Sequence, residues 1–136
     1  MTDQLINFET AKLAKEKGFD EVCYYLHHPE YGIVDNSKYH KNSKLNIGDD
    51  KTEYVTAPTQ SLLQKWLRES HNLYVESYHD LTPGGERIQY YTNWGFIQQK
   101  DIKGNSNVNG SYDEYEDWKT YEEALEEGLQ KALKLI

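Results

Sequence analysis

The chain has 136 residues, a formal net charge of -8 and a pI near 5.1. That length makes one ordinary domain, 1–136, able to bury roughly two-thirds of its unfolded surface without help from a metal or a disulfide. The acidity argues against a generic nucleic-acid binder, whose affinity comes from neutralising phosphates.

Cys23 is the only cysteine, which excludes an internal disulfide. No apolar run approaches a membrane span, and residues 1–8 carry Asp3 where a signal peptide needs an apolar core. The expectation is a soluble cytoplasmic protein. Tyrosines number 12 against 3 phenylalanines. A tyrosine ring packs but its hydroxyl needs a partner or water, so this bias predicts aromatics at surfaces and rims.

The first element is a helix over 8–17, with Asn7 to cap it and Gly18 to stop it. Phe8, Ala11 and Ala14 share one side. Residues 20–26 alternate, with Val22, Tyr24 and Leu26 on one side and Cys23 and Tyr25 on the other, which predicts a strand. Residues 27–51 are polar, with brief apolar pairs only, and read as a mobile excursion or a concealed short hairpin. A short strand over 53–56 feeds the next helix.

That helix, over 58–71, organises the middle of the chain. Leu62, Leu63, Trp66 and Leu67 make a narrow apolar stripe, with Gln64, Lys65, Arg68 and Glu69 opposite. Pro58 suits its first turn and Asn72 its left-handed exit. The period then changes to two. A strand over 73–78 meets the Pro83-Gly84 turn and returns as a strand over 87–97. Folding about Pro83-Gly84 sets Ser77 opposite Tyr90, Val75 opposite Thr92 and Leu73 opposite Trp94. One face then gathers Leu73, Val75, Ile88, Tyr90 and Trp94; the other gathers Tyr74, Glu76, Tyr78, Gln89, Tyr91 and Asn93.

Residues 101–110 read as a turn-rich loop. The last element is a helix from about residue 120, opened by the capping box Thr120 and Glu123. Ala124, Gly128 and Ala132 recur every four residues and predict a groove that lets another backbone approach. Together the elements predict an α+β fold, with three helices packed on one face of a small three- to four-stranded, mainly antiparallel sheet.

Two stretches resemble a known group. The segment Ala-Pro-Thr-Gln-Ser-Leu-Leu-Gln-Lys-Trp-Leu-Arg-Glu over 57–69 is similar to one found in small proteins of gut bacteria and their phages. Thr-Tyr-Glu-Glu-Ala-Leu-Glu-Glu-Gly-Leu over 120–129 resembles their C-terminal helix. The resemblance implies a phage or prophage accessory protein and carries no activity, cofactor or site residue with it.

The residues themselves name little chemistry. His27, His28, His40, His71 and His79 lack zinc-site spacing, so no metal or cofactor is expected. Cys23 lies in a strand, where a lone cysteine is usually an inert small hydrophobe. Asp113, Glu114, Glu116 and Asp117 form an acidic run that suits a solvated or partner-facing patch better than a glycosidase pair. Lys38, Lys41 and Lys44 read as a solvated basic loop.

The best candidate is the outer sheet face. Tyr74, Tyr78 and Tyr91 stand on it, with Glu76, Arg87, Gln89 and Asn93 around them and Tyr25 added if the first strand joins the sheet. Tyrosine anchors interfaces and stacks on flat ligands, although it is also ordinary on half-exposed strands. The leading expectation is a non-enzymatic protein that binds a host protein or a second copy of itself. A nucleotide binder with Arg87 or Arg68 on phosphate is the alternative, and a small hydrolase the second alternative.

Overall fold

The computed structural model describes residues 3–45, 54–82, 84–97, 108–115 and 118–136. Its elements, in chain order, are helix α1 (Phe8–Glu16), strands β1 (Cys23–His28) and β2 (Gly32–His40), a short 3-10 turn (Asn42–Lys44), and strand β3 (Val55–Thr56). Helix α2 (Gln60–His71), strands β4 (Leu73–Leu81), β5 (Ile88–Ile97) and β6 (Val108–Tyr115), and helix α3 (Tyr121–Leu133) follow. Among the described residues the fold is α+β with three helices, as the periodicities predict. The strands divide between two antiparallel sheets of order β2-β1-β3 and β4-β5-β6, where the sequence predicts one sheet. The chain forms two compact units, Met1–Leu63 and Gln64–Ile136, and the boundary falls inside α2.

In the first unit, the Asn7 side chain accepts the Thr10 N–H at 2.9 Å and caps α1. Gly18, at φ 94°, ends it. The Phe19 N–H bonds to the Ala14 carbonyl and the Gly18 N–H to Lys15, the paired bonds of a Schellman stop. Part of the polar stretch over 27–51 is a hairpin arm. His28 pairs with Gly32 across a three-residue turn, and β2 runs back along β1.

The register breaks between Cys23 and Tyr25, and this spoils the predicted two-sided alternation of β1. Leu26 is buried, whereas Val22, read on the same side, is 45% exposed. Asn42 ties the unit together, donating to the Phe19 carbonyl at 2.8 Å and accepting the Thr56 N–H at 3.0 Å.

In the second unit, α3 packs against β4 and β5. Ala124, Leu125, Gly128, Leu129, Ala132 and Leu133 are its buried residues, as its spacing predicts. Thr120 accepts the Glu123 N–H at 3.1 Å. Glu123 reaches back to the Lys119 N–H at 2.9 Å, so the capping box closes one residue early.

Asn72 adopts φ 53° between α2 and β4, the left-handed exit expected of it. At the other end of α2 the helix opens two residues later than predicted. The Thr59 hydroxyl accepts the Leu62 N–H at 3.1 Å there, and the Pro58 carbonyl instead accepts the Ile6 N–H at 3.0 Å. No helix among the described residues is long and apolar enough to cross a membrane.

Candidate binding surface

The face is built by the β4–β5 register. Leu73 lies opposite Phe96, Val75 opposite Trp94, Ser77 opposite Thr92 and Tyr78 opposite Tyr91. This ladder is displaced by two residues from the one expected. The reason is the turn. Gly84 and Gly85 both take positive φ, 91° and 71°, and the Thr82 N–H bonds to the Arg87 carbonyl at 2.8 Å. The loop therefore holds four residues where a tight Pro-Gly turn holds two. A two-residue shift leaves every side chain on its expected face, because the strand period is two.

The two faces differ sharply. Leu73, Val75, Ser77, Thr92 and Trp94 are buried, and Gly128 of α3 rests against Val75 and Thr92. On the reverse face Glu76 and Asp80 are exposed, and Tyr74, Gln89, Tyr91 and Asn93 are half-buried. Tyr78 is 38% exposed. The rings of Tyr78 and Tyr91 stack, with centroids 5.2 Å apart and planes inclined by 26°. Such a pair contributes about 0.5–1.5 kcal/mol beyond its buried area.

Glu76 pairs with Asn93 and Asp80 with Gln89, so β4 contributes one carboxylate to each ladder row beside the stacked pair. β6 extends two of these rows, setting Tyr115 opposite Tyr91 and Asp113 opposite Asn93. Asp80 joins the face because β4 runs on to Leu81, beyond the strand over 73–78 that the alternation predicts, and its even spacing from Tyr78 marks it. β6 is not legible in the sequence, because its Asn, Gly, Ser and acidic residues carry no apolar alternation.

Two predicted members stand elsewhere. Tyr25 lies on β1, in the other sheet, because β2 and β3 take both of its edges. Its ring meets Tyr24 edge-on at 5.4 Å. Arg87 is exposed in the hairpin loop, off the strands.

The first unit uses its chemically versatile residues for structure. His27 is buried, with Nε2 2.7 Å from the Ile6 carbonyl. Burial holds its imidazole below the ordinary 6.5, so the ring is neutral and Nε2 carries the donated hydrogen. The His28 Nδ1 accepts the N–H groups of Glu30 and Tyr31 at 3.0 and 3.1 Å, which folds the β1–β2 turn around it. Burial pushes the Cys23 thiol up to about 11; the Thr56 side chain opposes this and the charge of Glu21 adds to it. Among the described residues no group of three or more His, Cys, Asp or Glu is placed to hold a metal ion.

No family model, curated protein or solved structure matches the chain.

Proposed function

We propose that this chain is a non-enzymatic binding protein that holds a protein partner on the tyrosine face of β4 and β5. The in-register stack of Tyr78 on Tyr91, on the face turned away from α3, carries the reading. Rigid aromatic pairs present large contact area at low entropic cost and serve as interface anchors. A phage or prophage accessory setting rests on the resemblance of the 57–69 and 120–129 segments alone.

A nucleotide is the weaker occupant. The strands β4 and β5 carry no lysine or arginine, and Arg87 lies in the loop beyond them. Phosphate recognition on this face would have no cation from either strand.

The test is a Tyr78→Ala, Tyr91→Ala double variant compared with the parent chain. Both are compared by sedimentation and by capture of partners from host lysate. The reading expects cooperative unfolding to survive and a partner or self-association to be lost. A folded double variant that assembles and captures as the parent does contradicts it.

A further inference from the structure

Resting on that reading, we infer that the partner presents a basic, extended segment, with an arginine or lysine seated against the Tyr78–Tyr91 pair and its charge met by Glu76 and Asp80. The charge pattern of the face is the argument. On this face β4 carries two carboxylates, Glu76 and Asp80, and neither β4 nor β5 contains a lysine or arginine. The two on β4 are exposed and stand two residues either side of Tyr78.

Alternate residues on a strand lie about 6.6 Å apart on one face. A carboxylate, a phenol ring and a second carboxylate therefore succeed one another at that interval. An extended peptide with cations at every second position has the same repeat. A guanidinium stacks on an aromatic face while its N–H groups reach a neighbouring carboxylate, a combination an ammonium matches less well.

The same pattern disfavours a second copy laid face to face. Two such faces would bring Glu76 and Asp80 against like charges without a lysine or arginine from either strand pair to offset them.

The experiment uses the full chain and fluorescein-labelled peptides with Gly-Arg, Gly-Lys or Gly-Glu repeated four times, followed by anisotropy. The inference expects the Gly-Arg peptide to bind, the Gly-Lys peptide to bind more weakly and the Gly-Glu peptide not to bind. Glu76→Gln with Asp80→Asn should weaken Gly-Arg binding about tenfold, and added salt should weaken it further. Glu16→Gln with Glu30→Gln, exposed carboxylates of the first unit, should leave it unchanged.

The inference fails if the Gly-Arg and Gly-Glu peptides bind alike, or if the Glu16, Glu30 variant loses as much as the Glu76, Asp80 variant. Loss of a partner on Tyr78→Ala, Tyr91→Ala without any Gly-Arg binding would discard the basic segment and leave the tyrosine face standing. Gly-Arg binding that ignores both the tyrosine and the carboxylate variants would discard both.

Discussion

Gly128 of α3 lies so close to Thr92 of β5 that a methyl group on the glycine would collide with the threonine hydroxyl and stand 2.9 Å from the Val75 γ1 methyl. A glycine in a helix interior costs about 1 kcal/mol relative to alanine. The close seating of helix on sheet is what offsets that cost, and it fixes which face of the hairpin is left for the tyrosines.

Gly128→Ala therefore destabilises the protein by about 1–3 kcal/mol despite its better helix propensity, because overpacking outweighs the gain. Denaturant midpoints measure this. Combining it with Thr92→Ala, which removes the colliding hydroxyl and its 3.1 Å bond to the Glu76 carbonyl, costs less than the sum of the two single changes. An additive double variant would show that the contact does not set the helix position.

Ser77 gives the opposite sign. Its buried hydroxyl has no hydrogen-bond partner among the described residues. Ser77→Ala thus removes a desolvated polar atom and leaves stability unchanged or raised by up to about 1 kcal/mol. A loss of more than that in thermal or chemical unfolding would mean the hydroxyl makes a contact of value.

Much of this arrangement is legible in the sequence. Asn7, Gly18, Asn72 and Thr120 each mark a helix end through local chemistry that needs no tertiary context. The alternation over 73–97 assigns both faces of the hairpin. Its register is misread by two residues because Gly85 looks like part of a tight turn and instead lengthens it. The division into two sheets is not legible, since β2 and β6 are too polar to show a period of two. Tyr25 belongs with the other tyrosines only if β1 joins their sheet, and β1 pairs with β2 and β3 instead.

His27 makes the first unit acid-sensitive. Its ring is neutral in the fold and held below the unfolded value of 6.5. The unfolded chain thus takes up a proton first as pH falls. The stabilisation is complete above about pH 6.5 and is lost progressively below it, until the folded ring also titrates. In parallel unfolding curves between pH 8 and 5, His27→Gln should be less stable than the parent at the top of the range and show a shallower decline. Identical slopes would contradict the assignment.

Cys23 should be chemically quiet. With the thiol near 11, about one molecule in a thousand is thiolate at pH 8, and the sulfur is buried. A disulfide reagent should react with the native chain at least about a hundredfold more slowly than with the unfolded chain. Equal rates would place the thiol at the surface.

The most direct test of the tyrosine face is nitration of the folded chain, mapped by mass spectrometry with and without the Gly-Arg peptide. Tyr78 should be modified in the free chain and protected when the peptide is bound. Tyr31, 78% exposed in the other unit, should be modified in both. A Tyr78 that resists nitration in the free chain, or stays equally reactive under saturating peptide, would contradict the account.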